Sequence, residues 1–213
     1  MNLELQVAED AENAAALAAN GIHGALQSHL QRHDQACFIA SGGSTPQRCY
    51  ELLSEMTMPW ERVRVTLTDE RVVPVTDPSS NEGMLRRTLL QHNAAAAEFV
   101  PVQEDSLNAL PRPLACALVG MGEDGHFASL FPDNPDLAGA LAPDNPSACL
   151  PVTTAASELP RVSLSLAYLL QCETIFLLAL GQAKRAIIDQ PTGFPVAALL
   201  QQARTPVQVI WAP

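Results

Sequence analysis

Residues 120–132, GMGEDGHFASLFP, place two carboxylates, one histidine and three glycines within seven consecutive positions. They follow an apolar run, ACALV at 115–119, that reads as a buried strand. A charged, glycine-rich bend where a buried strand ends is costly for stability alone, which makes it a candidate for chemistry. A histidine titrates near neutrality, so it can take a proton from water at working pH. His126 is therefore a candidate general base, and Asp124 a carboxylate able to orient its ring. A metal centre needs at least a third ligand at suitable spacing, and none is evident beside this pair. HFASLF, which follows, is expected to begin a helix. His23, His29, His33 and His92 fall on expected helices and read as solvated.

Three further clusters carry polar groups suited to an anion. SGGSTP at 41–46 offers Gly42, Gly43, Ser44 and Thr45 ahead of a helix start. Glycines let backbone N–H groups approach a phosphate, and a helix N-terminus adds partial positive charge. Equally, this is a strand-to-helix turn in which Ser44 or Thr45 serves as N-cap. It is not a GxxxxGK[ST] loop, which argues against ATP. TDERVVP at 68–74 sets Asp69 and Glu70 beside Arg71, either to bind an anion or to fix a loop by an ion pair. LGQAKRAI holds Lys184, the only lysine beside eleven arginines. In the first turn of a helix a cation opposes the helix dipole, which makes sense if Lys184 faces an anion; otherwise it is a solvated surface lysine.

The elements that must position these groups alternate. Strands are expected at 3–8, 36–41, 63–68, 98–102, 115–120, 148–153, 174–181 and 207–212. Helices are expected at 11–30, 46–56, 81–91, 182–189 and 195–203, with 161–171 mostly helix and 132–146 a surface loop. Apolar strands alternating with helices indicate an α/β fold: a single domain over 1–213 with a largely parallel, doubly wound, Rossmann-like sheet and helices on both faces. All four polar clusters begin at the C-terminal end of an expected strand, the edge where open α/β sheets bind ligands.

Composition narrows the partners. A net charge of −11 argues against nucleic acid, and 47% hydrophobic with 16% charged residues describes an ordered globular chain. Five cysteines without a CxxC pair read as reduced, in a cytoplasmic protein. The first residues lack a signal-peptide pattern, and no apolar run approaches the length of a membrane span.

Taken together, SGGSTP, TDERVVP, SSNEGMLRRTLL, GMGEDGHFASLFP and RVSLSL stand in the order of the blocks of the 6-phosphogluconolactonase family, which this sequence resembles. The resemblance implies hydrolysis of 6-phospho-D-glucono-1,5-lactone to 6-phosphogluconate without a metal or organic cofactor, by a monomer or weak homodimer. It implies that His126 activates water, that Asp124 supports it, and that Gly42, Gly43, Ser44, Thr45, Asp69, Arg71 and Lys184 hold the substrate and its phosphate. Asn81 and Arg161 would line the cleft. The related glucosamine-6-phosphate deaminases carry a pattern like DGHIAFNEP; here Ser129 and Leu130 stand where Asn and Glu would be expected. A deaminase-like enzyme and a non-catalytic sugar-phosphate sensor are the alternatives. Two departures stand out: a short, proline-rich stretch between Val102 and Ala115, and Phe127 in place of a small Thr, expected to crowd the pocket.

Overall fold

The computed structural model describes residues 3–155 and 157–213, so the ends of the expected domain at positions 1 and 2, and residue 156, lie outside the described residues. The chain opens with β1 (Leu3–Val7) and α1 (Ala11–Leu30), whose N-terminus is capped by the Asp10 side chain accepting from Asn13 N–H. β2 (Ala36–Ala40), α2 (Gln47–Glu55) and β3 (Val63–Leu67) follow. After Thr68 the chain leaves the main sheet as β4 (Asp69–Arg71), then forms α3 (Asn81–Thr88) and the two-residue β5 (Glu98–Phe99). α4 (Glu104–Asn108) is a short helix in the proline-rich stretch, and β6 (Leu114–Gly120) is the buried strand before the histidine bend.

The second half differs from expectation in three places. The surface loop at 132–146 contains a single helical turn, α5 (Leu137–Ala140). After β7 (Cys149–Thr154), residues 161–164 lie in β8 (Ser157–Leu164), and only α6 (Leu166–Leu169) is helical. The alternation in RVSLSL is a strand's period of two, and the apolar residues after it had suggested one long helix. Third, HFASLF does not start a helix: Ala128 adopts φ 51° and Phe127 and Leu130 pair as an isolated bridge. β9 (Cys172–Leu180), α7 (Gln182–Asp189), α8 (Val196–Leu200) and β10 (Val207–Ala212) complete the chain.

Among the described residues, seven strands form one parallel sheet in the order β1-β10-β9-β6-β2-β3-β5, and β4-β8-β7 form a small antiparallel sheet. From β2 the chain steps outward to β3 and β5; from β6 it steps the other way, to β9 and β10. α2 packs on α1, and the right-handed rule for such crossovers, applied to steps in opposite directions, assigns the helices of the second half to the opposite face. The direction reverses between neighbours β2 and β6. Their C-terminal ends diverge into a crevice, where an α/β sheet binds its ligand. Strands such as β2 are buried throughout, as expected for a sheet covered on both faces.

Candidate active site

A cavity of about 240 Å³ opens at that crevice. The loop after β2 forms one wall, the β3–β4 junction and Asn81 the second, and the bend after β6 the third; Lys184 reaches in from α7. Thus the four clusters that sequence places at strand ends converge on one cleft.

The histidine bend is shaped by glycines. Gly122 N–H donates to His126 O at 2.9 Å, and Gly125 N–H donates to Gly122 O at 3.1 Å. Gly125 holds φ 74°, a region a side chain rarely tolerates, and a Cβ there would meet Phe194 Cβ at 2.6 Å. A Cβ on Gly122 would stand 2.3 Å from the His126 ring and 2.6 Å from Asp124 Oδ1. This close backbone approach presses the two side chains together: His126 Nδ1 lies 2.5 Å from Asp124 Oδ1, which also accepts from His126 N–H at 3.2 Å. The ring is tilted against Phe131 at 4.2 Å. With Nδ1 engaged by the carboxylate, Nε2 is the nitrogen able to take a proton. His126 lines the cleft, while Asp124 stands behind it.

Across the cleft the small sheet sets two cations side by side. β4 pairs with β8 so that Arg71 is opposite Arg161, and Asp69 opposite Ser163. Like charges in register destabilise a sheet by roughly 0.2–1 kcal/mol unless something compensates. Asp69 does so in part: buried, it accepts from Thr68 Oγ1 at 2.9 Å and Ser129 Oγ at 2.6 Å, and lies 3.6 Å from Arg161 Nη1. Burial, and next the charge of Arg71, hold the Arg161 guanidinium below its ordinary value, with Asp69 opposing. Arg71 Nη1 donates to Ser79 O and to Asn81 Oδ1, while its buried Nε has no hydrogen-bond partner among the described residues. A pair of guanidiniums with a spare donor at a cleft wall suits an anionic ligand. Asp69 is thus a support for this wall.

The loop after β2 supplies the third component. The buried Tyr50 hydroxyl donates to Ser41 O at 2.8 Å and anchors the loop from below. Gly42 admits the Asn81 amide, which a Cβ would overlap at 2.2 Å, and Gly43 turns through φ 92°. α2 begins at Pro46 with no side-chain cap, so the Ser44 and Thr45 hydroxyls are not engaged as caps and the loop is free to serve an anion. Lys184 faces this loop across the cavity from the first turn of α7.

Every substrate-site residue expected from the sequence therefore lines the cleft or, like Asp124, supports one that does. Sequence reading left the Asp69–Glu70 pair open between binding an anion and fixing a loop, and it missed Ser129 and the pairing of β8 with β4. Glu70 accepts from Asn81 N–H at 2.8 Å and Glu82 N–H at 2.7 Å, fixing the start of α3 rather than touching the cleft. Ser129 bridges Asp69 and, at 3.4 Å, Arg161; a polar residue inside the otherwise apolar FASLF was its only signal. The pairing of β8 with β4 had no local signal. Phe127 does not crowd the pocket: it is fully buried in the core. Cys49, beneath the loop, is buried with its thiol pushed up to about 12 by desolvation, and so is unreactive; all five cysteines are free. The expectation that four histidines are solvated fails at His29, which is 2% exposed. No described helix is long and apolar enough to cross a membrane.

The chain matches the family described as "Glucosamine-6-phosphate isomerases/6-phosphogluconolactonase" over residues 9–212. It is 42% identical to the 6-phosphogluconolactonase of Caulobacter vibrioides, over 99% of this chain and 97% of that one. The 6-phosphogluconolactonase of Mesorhizobium japonicum is 37% identical, over 96% and 93%. Among solved structures, a 6-phosphogluconolactonase from Shewanella baltica matches with a TM-score of 0.93 at 30% identity, covering 99% of this chain and 98% of the other.

Proposed function

This chain belongs to the glucosamine-6-phosphate isomerase/6-phosphogluconolactonase family, and we propose that it acts as a cytoplasmic 6-phosphogluconolactonase, opening 6-phospho-D-glucono-1,5-lactone to 6-phospho-D-gluconate. One juxtaposition carries this: a histidine whose Nδ1 is engaged by a carboxylate lines the same cleft as Arg71, Arg161, Lys184 and a glycine-rich loop.

The phosphate lies against Gly43, Ser44 and Thr45, with Arg71 and Lys184 as cations, while Asn81 and Arg161 line the sugar. His126 Nε2 takes a proton from water as the water oxygen bonds to the lactone carbonyl carbon. Asp124 keeps Nδ1 protonated and stabilises the imidazolium that forms. Backbone N–H groups of the glycine-rich loops, or Arg71, receive the developing oxyanion. The ring C–O bond then breaks, and the departing oxygen takes the proton from Nε2. The product acid ionises at neutral pH, so one water is consumed and one proton released per turnover. Each step is acyl substitution or proton transfer that these side chains perform themselves. A deaminase would want its carboxylate where Leu130 stands, and Leu130 is fully buried in the core.

The test is hydrolysis of freshly generated 6-phosphogluconolactone, coupled to 6-phosphogluconate dehydrogenase and NADP, with phosphate-free gluconolactone as control. Phosphate-dependent acceleration that His126→Ala abolishes is expected. A rate equal to buffer, or an unaffected His126→Ala variant, overturns the proposal. Ammonia release from glucosamine 6-phosphate would reinstate the deaminase.

A further inference from the structure

The edge of the sheet opposite the cleft carries a second histidine–carboxylate cluster that lactone hydrolysis does not use. His29 sits in the last turn of α1, and His33 follows four residues later, after a turn in which His33 N–H still donates to His29 O at 3.0 Å. Residues four apart share a helix face. The two rings accordingly stack, with centroids 4.2 Å apart. Glu173, the second residue of β9, meets them: His29 Nδ1 lies 3.2 Å from Glu173 Oε2, and His33 Nε2 lies 3.9 Å from Oε1.

We propose that His29, His33 and Glu173 bind a borderline divalent cation of the Zn²⁺ class. Their three donor atoms all lie within 4.8 Å of one another. Nitrogen and oxygen donors on a tetrahedral zinc ion stand about 3.3 Å apart, given metal–ligand bonds near 2.0–2.1 Å. The cluster therefore needs only small side-chain rotations to close on an ion, with water at the fourth position. Two imidazoles and one carboxylate are a donor set for zinc or cobalt, not for calcium or magnesium, which take oxygen. The independent sign is His29 Nδ1. It is buried, directed at Glu173, and makes no hydrogen bond of acceptable geometry among the described residues. When Nδ1 is unprotonated its lone pair faces a carboxylate oxygen 3.2 Å away, and a cation between them satisfies both.

His29 and His33 line a surface cavity of about 380 Å³ together with Asp34 and Arg112, while Glu173 lines a separate one of about 300 Å³, so the cluster lies between two solvent-filled recesses. The competitor for Glu173 is Arg32, which donates to its two oxygens at 3.0 and 2.7 Å. Arg32 is half exposed and free to swing into solvent when an ion arrives. Bound metal would then clamp the end of α1 to the start of β9, about 20 Å along the strand from Lys184's end of the sheet.

The test is calorimetric titration of untagged, metal-stripped protein with Zn²⁺ at neutral pH, paralleled by Co²⁺ titration read by visible absorption. One ion per chain is expected, with intense bands of tetrahedral cobalt and a melting temperature that rises with Zn²⁺ concentration. His33→Gln and Glu173→Gln should each weaken binding by about 10–100-fold or more. His33 is one-third exposed, so its variant is expected to fold, with an unchanged circular-dichroism spectrum as the check. Arg32→Met should tighten binding. Absence of saturable Zn²⁺ binding overturns the proposal. So does binding that survives both ligand substitutions, or binding that is lost in His126→Ala instead. None of these outcomes depends on whether the cleft hydrolyses a lactone.

Discussion

The molecule holds a histidine against a carboxylate at each end of its sheet, and the two pairs are built differently. Asp124 and His126 are two residues apart, on a glycine-shaped bend at the C-terminal edge, and the ring opens onto a cleft. His29 and Glu173 come from α1 and β9, and His29 is buried with Arg32 braced across the carboxylate. In the first pair the carboxylate fixes one ring nitrogen, and the ring itself lines the cleft. The second pair ties two elements together. The residue types nearly coincide, so the difference lies in what surrounds them. A base needs a short rigid support and an open face; a tether needs depth and partners from distant segments.

Substitutions should separate the two ends. His126→Ala removes the proposed base, and kcat/KM for lactone hydrolysis should fall by about 10²–10⁴-fold, measured in the coupled assay. Gly122→Ala drives a methyl into the space of the His126 ring and Asp124. Displacing the base by around 1 Å should lower kcat by roughly 10²-fold. Lys184→Ala should act mainly on KM, raising it about tenfold or more, the scale of one lost charged hydrogen bond. Equal loss on phosphorylated and phosphate-free lactone would remove Lys184 from the phosphate site. His33→Gln, at the other end, should leave kcat and KM unchanged; a change in either would break the division between working and tethering ends.

A third carboxylate offers a milder contrast, since it serves structure alone. Glu104 is held below the usual carboxylate range chiefly by the Ala148 N–H, with Cys149 N–H adding to it and desolvation opposing. Because its native value is depressed, its stabilisation is fully present above the ordinary glutamate value, about 4.3, and disappears as pH falls through the native value. Glu104→Gln should therefore lower the melting temperature at neutral pH. The gap from the parent should close in acid, with catalysis unaffected throughout.

The unevenness of what sequence reveals follows the same division. α1 and α7 were legible to the residue, because an aspartate cap or a glycine marks where each begins. The Asp124–His126 bend was legible because its partners, its glycines and the strand before it are contiguous. Arg161 was placed on a helix because LAYLL follows it; only pairing with β4, ninety residues earlier in the chain by register with Arg71, makes it a strand. Ser129 has the same history, its partners Asp69 and Arg161 both being remote. His29 reads as solvated until β9 brings Glu173 to it. Local signals announce the working group, while the supports that aim it come from pairings no window of sequence contains.

The pairing of β1 has a consequence for how the molecule comes into being. β1 precedes β10 by some two hundred residues, yet in the main sheet the two are neighbours, with Leu3 opposite Val207 and Val7 opposite Trp211. β1 has no place to dock until nearly all of the intervening chain has been made, and closing so long a loop is slow. β10 also settles the turn before Lys184, since Trp211 Nε1–H donates to Gly181 O and Gly181 N–H to Ala212 O, both at 2.9 Å. The cleft's lysine is thus set late, by the same strand that receives β1. Activity should therefore emerge after the rest of the sheet has formed, making the onset of hydrolysis during refolding a clock for the closing of that edge.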